Sequence, residues 1–139
     1  MARDRHVLAA VLAALPVWGV LWAMDGAGGG PPGERVGWAL LYLAGITPLL
    51  EELAFRGALQ GWLLETGWGA VRVGGLSLAN LACSALFAVM HLGVHSPVWA
   101  ASVVIPSLVF GHLRDRTGST VPAILVHGWY NLGYFTLMG

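Results

Sequence analysis

The chain has 139 residues, 57% of them hydrophobic and 10% charged, with a formal net charge of zero. A soluble domain carries about 25% charged residues, so this is the composition of a membrane protein, and the length leaves room for a single domain, 1–139. Zero net charge provides no basic face for nucleic acid, and the one cysteine, Cys83, excludes an internal disulfide and any multi-cysteine metal site.

A helix needs about 20 apolar residues to cross the hydrocarbon. Val7–Met24 is the first such run. Read instead as a cleaved leader, Arg3 and Arg5 form its basic start, but the run is long for that and no clean A-x-A site follows. Asp25–Arg35, "DGAGGGPPGER", reads as a loop rich in Gly and Pro. Val36–Leu64 is the second run, followed by a Gly-rich connection, Glu65–Gly75. Leu76–Val94 is the third, interrupted at His95–Pro97. Val98–Leu113 is the fourth, kinkable at Pro106, and "RDRTGST", Arg114–Thr120, reads as a tight turn. Val121–Met138 is the fifth, with Ser119 or Thr120 as N-cap and Pro122 in its first turn. The predicted fold is therefore all-α: a polytopic integral membrane helix bundle of about five transmembrane helices.

All seven basic residues are Arg. With the N-terminus in the cytoplasm, Arg3, Arg5, Arg72, Arg114 and Arg116 fall inside and Arg35 outside, as the positive-inside rule prefers. The seven Trp, at 18, 22, 38, 62, 68, 99 and 129, suit interface anchoring, and Trp129 suits lipid or packing contact.

Ionisable groups within membrane helices usually mark function. Here they are Glu51, Glu52 and Arg56 on the second run, His91 on the third, His112 on the fourth, and His127, with Asn131, on the fifth. Glu52 and Arg56 are four apart in the favoured acid-first order, so they can pair. Glu51 is rotated about 100° away and needs a partner from another helix. Pro48 cannot bond the Ala44 carbonyl, so a bend is expected beside the two acids. Gly57 and Gly61 form a G-x-x-x-G that admits a close helix. Phe87 and His91 share one face of the third run, and His127 and Asn131 one face of the fifth.

This set suits water activation: a base, a group to orient the water, and donors for the oxyanion. Glu51 can be the base, His91 can hold the water with it, and His127 with Asn131 can donate to the oxyanion. The rival within catalysis is a zinc site on Glu51, His91 and His127, although no H-E-x-x-H is present. Outside catalysis, the same residues could serve a structural ion pair, a scaffold or immunity factor, or a small proton-coupled transporter using Glu51 and Glu52. His112 reads as interfacial and His95 as lying at the outer boundary. Asn80 and Ser84 read as inter-helix hydrogen bonds and Cys83 as an apolar filler.

The motifs "EELAFR", "FAVMH" and "HGWYN", in that order, resemble the CPBP family of CAAX-protease and bacteriocin-processing (Abi) membrane proteins. "FGHLRDRTGSTVPAILVH", Phe110–His127, is similar to the family's stretch before its last motif, and the resemblance covers about 45–131. It implies a glutamic-type intramembrane endopeptidase, once described as metal-dependent, with no cofactor expected. Carried over by motif, Glu51 and His91 would activate water, His127 and Asn131 would form the oxyanion hole, and Glu52, Arg56 and Phe87 would support them. It implies a substrate that is a membrane-anchored protein or its C-terminal tail, and a location in the bilayer, here the bacterial cytoplasmic membrane. The short chain is closer to the small bacterial members, some linked to C-terminal sorting signals, than to the larger prenyl-protein endopeptidases.

One geometric difficulty stands. At 1.5 Å per residue, Glu51 lies about 22 Å along its run while His91 lies about 5 Å from the outer end of its own. They meet only if the second run begins outside the hydrocarbon, the third extends past Gly93, or the Pro48 bend shifts Glu51.

Overall fold

A computed structural model describes residues 4–25 and 34–138. The loop expected over Asp25–Arg35 falls mainly on residues 26–33, outside the described residues, as does Arg3. The described residues are all-α apart from one hairpin of two two-residue strands, with elements α1 (Arg5–Asp25), α2 (Glu34–Leu40), α3 (Thr47–Glu52), α4 (Gln60–Leu64), β1 (Arg72–Val73), β2 (Leu76–Ser77), α5 (Leu78–His91), α6 (Pro97–Ser102), α7 (Val104–Thr117) and α8 (Val121–Met138). Two π-helical segments, Leu41–Ile46 and Leu53–Leu59, join α2 to α3 and α3 to α4.

Gly37–Leu64 is thus one helical run of 28 residues, about 42 Å long at 1.5 Å per residue. Among the described residues it is the one helix both long and apolar enough to cross a bilayer, and only 11% of its apolar window is buried. The apolar helices Arg5–Val20 and Leu78–His91 are shorter.

The residues form two compact units, Glu51–Ala123 and Met1–Leu50 with Ile124–Gly139. In the first, α5 and α7 pack on each other and on the second half of the long run. Ser77 caps α5 by accepting from the Asn80 amide at 3.0 Å, and Ser96 caps α6 by accepting from the Trp99 amide at 3.3 Å, with Pro97 in its first turn. The expected fourth run differs in two ways. Its break falls at Val103 rather than at Pro106, which sits in the first turn of α7, where a missing N–H costs little. Its end falls at Thr117 rather than Leu113, because Gly118 takes the left-handed conformation (φ 67°) that closes a helix. "RDR" is therefore helical. At the end of the first unit, Ser119 accepts from the Val121 amide at the start of α8, and in the second, α1 packs on the rest of α8.

Beside a buried apolar set that includes Leu63, Phe87, Phe110 and Leu113, the interior holds many polar side chains while large apolar ones face outward. Glu52, Arg56, Gln60, Ser77, Asn80, Ser84 and Ser107 are buried, whereas Leu53, Trp62, Leu86, Met90 and Ile105 are exposed. On α1 the small Ala10 and Ala14 are buried while Leu8, Leu12 and Leu15 face outward. Small and polar residues inside with large apolar ones outside is the arrangement lipid favours, since lipid supplies no hydrophobic drive to bury leucine.

Candidate active site

In the unit Glu51–Ala123 the spacing of the "EELAFRGALQ" stretch builds a buried polar ladder. Glu52, Arg56 and Gln60 lie four apart and all are fully buried. Arg56 Nη1 donates to Glu52 Oε1 at 3.1 Å. Arg56 Nη2 donates to the Ser107 carbonyl at 2.9 Å and to Ser107 Oγ at 2.6 Å. Gln60 Nε2 donates to the Gly111 carbonyl at 3.0 Å and to Asp115 Oδ1 at 2.8 Å. The partners Ser107, Gly111 and Asp115 are again four apart, on α7. Asp115 also accepts from the Ser77 amide at 3.3 Å, tying in the start of α5.

The Arg56 guanidinium lies 5.0 Å from the Phe87 ring centroid, 5.5 Å from Phe110 and 5.9 Å from Phe55. All three are within cation–π range. Asn80 Nδ2 donates to the Leu108 carbonyl at 3.0 Å, joining α5 to α7 as expected of an inter-helix polar residue, whereas Ser84 Oγ donates to Asn80 Oδ1 at 3.1 Å within α5 and so steadies Asn80 rather than crossing between helices. Gly57 and Gly61 leave room for Thr120 and Arg114, whose nearest atoms would stand 3.5 and 3.4 Å from an added Cβ. Arg114 Nε donates to the Arg56 carbonyl at 3.1 Å. Cys83 is buried beside Leu63 and Ala79.

The same contacts fix the level of Glu51. Leu63 packs on Ala79 and Cys83, and Phe55 meets Phe87 edge-on at 5.1 Å. Moving back along one helix matches moving forward along the other, so the two run antiparallel. One turn beyond that aromatic contact are Glu51 on one helix and His91 on the other, which brings their turns to the same level. The depth difficulty dissolves because α5 spans only Leu78–His91 and lies along the second half of a run longer than the hydrocarbon is thick, about 30 Å.

His91 is half-buried, its ring 4.5 Å from Phe87. Its Nδ1 lies 2.8 Å from the Phe87 carbonyl. A carbonyl only accepts, so Nδ1 carries a proton, and in the neutral form of the ring Nε2 is the lone pair. His95 stacks on His91 at 5.8 Å and is exposed. His112 is half-buried.

In the other unit, the run before Pro48 switches to i→i+5 bonding, with the Thr47 amide donating to the Tyr42 carbonyl. The next carbonyl in that register, Leu43, would bond residue 48, and proline has no N–H. Asn131 Nδ2 donates to it instead, at 2.9 Å. Gly128 lets α8 approach the neighbouring carbonyl: a Cβ there would stand 2.6 Å from the Ala44 oxygen. Asn131 retains a second N–H for another acceptor. His127 is buried on the same face of α8, four residues before Asn131. The bend expected at Pro48 thus takes the form of a π-helical turn, a feature common at functional sites, and a second such turn follows Glu52.

Spacing alone does not single out Gln60, Ser107 or Asp115 as partners, although each ladder is legible afterwards as polar or small residues four apart. Among the described residues no three His, Cys, Asp or Glu side chains group to hold a metal ion.

A buried ion pair, a half-buried second acid, an oriented histidine and many exposed large apolar side chains are features that suit a membrane-embedded protein with polar machinery in its interior. Residues 33–133 match the model of the type II CAAX prenyl endopeptidase Rce1-like family, and the chain belongs to that family. It is a family of membrane-embedded proteases acting on membrane-associated proteins. No curated protein and no solved structure matches the chain.

Proposed function

We propose that this chain is a glutamic-type intramembrane endopeptidase that hydrolyses a peptide bond near the C-terminus of a membrane-anchored protein. Glu51 accepts a proton from the attacking water, with His91 Nε2 as the second acceptor that holds it. His127 and the second amide N–H of Asn131 donate to the oxyanion that develops on the scissile carbonyl. Glu52 and Arg56 hold the Glu51 turn in place, and Phe87 orients His91 through its carbonyl. The protein's helices cross the bacterial cytoplasmic membrane about five times, with the N-terminus in the cytoplasm. No step passes through a metal.

The observation that carries this reading is the contact of His91 Nδ1 with the Phe87 carbonyl. With Nδ1 donating to the Phe87 carbonyl at 2.8 Å, the neutral form of the ring offers Nε2 as a lone pair. A water held between a carboxylate and a second acceptor at one level can give up its proton.

The test is cleavage by purified protein in lipid nanodiscs. The substrates are a peptide anchored by a prenylated Cys near its C-terminus and one anchored by a transmembrane segment with a C-terminal tail. General-base catalysis contributes about 10²–10⁴-fold, so Glu51→Gln loses at least about 100-fold in kcat with the fold intact. Asn131→Ala loses about 10²–10³-fold, as for other oxyanion donors. Glu51→Gln at more than a tenth of the wild-type rate overturns the assignment.

A further inference from the structure

We infer that α1 is a positioning helix for the active site: it clamps the turn of α8 that carries His127 and Asn131. This rests on the protease reading above. The family match spans 33–133, so α1, Arg5–Asp25, lies outside it.

The contacts fall on Trp129 and Tyr130, two of the three residues between His127 and Asn131. Tyr130 Oη donates to the Ala10 carbonyl at 2.8 Å. Trp129 Nε1 donates to the Val11 carbonyl at 3.2 Å. About two turns further along α1, Trp18 packs on Trp129 with ring centroids 4.8 Å apart. The Trp18 ring also covers Gly133 so closely that a Cβ there would collide with it. Ala10 and Ala14 are buried, and their small side chains let the helices approach. Two consecutive side chains on α8 therefore reach two consecutive carbonyls on α1. That pattern restrains rotation of α8 about its axis more tightly than a single contact would.

Rotation is what the site cannot tolerate. His127 and Asn131 share one face of α8, and Asn131 is held on its own side by the Leu43 carbonyl. Side-chain tips stand about 5–6 Å from a helix axis, so a rotation of about 10° moves them about 1 Å. A displacement of that size can cost about 100-fold in rate. A helix that merely covered α8 from lipid would need apolar contact and no paired hydrogen bonds.

The variants are Tyr130→Phe, which deletes one hydrogen bond, and Gly133→Val, which drives Trp18 off α8. Leu12→Ala, on the outward face of α1, is the control. Each full-length protein in nanodiscs is read for kcat, KM and the ring signals of ¹⁵N-labelled His127. The expected result is a kcat loss of about 3–10-fold for Tyr130→Phe and at least about 10-fold for Gly133→Val. KM stays within about twofold, His127 shifts or broadens in both, and Leu12→Ala matches wild type. Unchanged kcat in both variants overturns the inference, and so does a kcat loss with an unmoved His127 signal. If the wild type itself turns over no substrate, the protease reading fails separately. The clamp is then decided on His127 alone, whose shift in both variants supports it and whose constancy overturns it.

Discussion

Replacing Arg56 by methionine removes the guanidinium from a fully buried polar cluster. Glu52 and Arg56 are both fully buried and paired at 3.1 Å. Removing one partner of such a pair leaves an uncompensated buried charge and costs about 3–5 kcal/mol. The Ser107 carbonyl and hydroxyl also lose their donor, at 2.9 and 2.6 Å, and each lost hydrogen bond to a charged group adds about 1.5–3 kcal/mol before relaxation. Relaxation and the methionine's own packing against Phe87 and Phe110 offset part of this, so the expected loss is about 4 kcal/mol. That is a large share of the 5–15 kcal/mol typical of a domain. The double variant Glu52→Leu with Arg56→Met removes both charges and recovers most of the loss, since an apolar pair of similar volume is often neutral. The assay is equilibrium unfolding in mixed micelles titrated with a denaturing detergent. Arg56→Met within about 1 kcal/mol of wild type refutes the reasoning, as does a double variant no more stable than the single one.

Pro48→Ala supplies the N–H that the Leu43 carbonyl lacks and competes with Asn131 for it. Stability in the same unfolding assay rises by about 1–3 kcal/mol, toward the usual cost of an interior proline, while kcat falls. Unchanged kcat would show that the Asn131–Leu43 bond does not depend on Pro48. Gly111→Ala pushes a methyl group into the Asn80 amide, displaces it from the Leu108 carbonyl, and costs about 1–3 kcal/mol as overpacking does. Serine at the same position costs at least as much. Prolonged treatment with EDTA or 1,10-phenanthroline leaves the cleavage rate within about twofold in the nanodisc assay, and a loss restored by added zinc contradicts the metal-free mechanism.

Local spacing made some of this fold legible. The Glu52–Arg56 pair follows from an i, i+4 rule that needs no tertiary information, and the start of α8 follows from Ser119, which accepts from the Val121 amide, and from Pro122 in the first turn. The extra turn of α7 was not legible, because "RDRTGST" is as polar as a loop. Its aspartate is held by Gln60 and Ser77, 55 and 38 residues away in sequence. Gln60 itself lies one turn beyond Arg56 and completes the ladder, but only the partner helix shows what it bonds. The common level of Glu51 and His91 was obscured by assuming that helix ends align. The structure instead sets a 14-residue helix against half of a 28-residue run. The bend at Pro48 was legible from its missing donor. The Asn131 side chain that answers it, 88 residues from Leu43 in sequence, was not.

The central claim is that Glu51 activates water to cut a membrane-anchored protein. The most direct measurement compares protein termini by mass spectrometry in cells expressing wild-type protein or Glu51→Gln at equal levels, together with a co-expressed prenyl-anchored reporter. The account predicts new termini near the C-terminal ends of membrane-anchored proteins, present with wild type and absent with the variant. The same set of termini in both cell populations, with wild-type protein correctly inserted, would contradict it and point to a scaffold that keeps the family's fold.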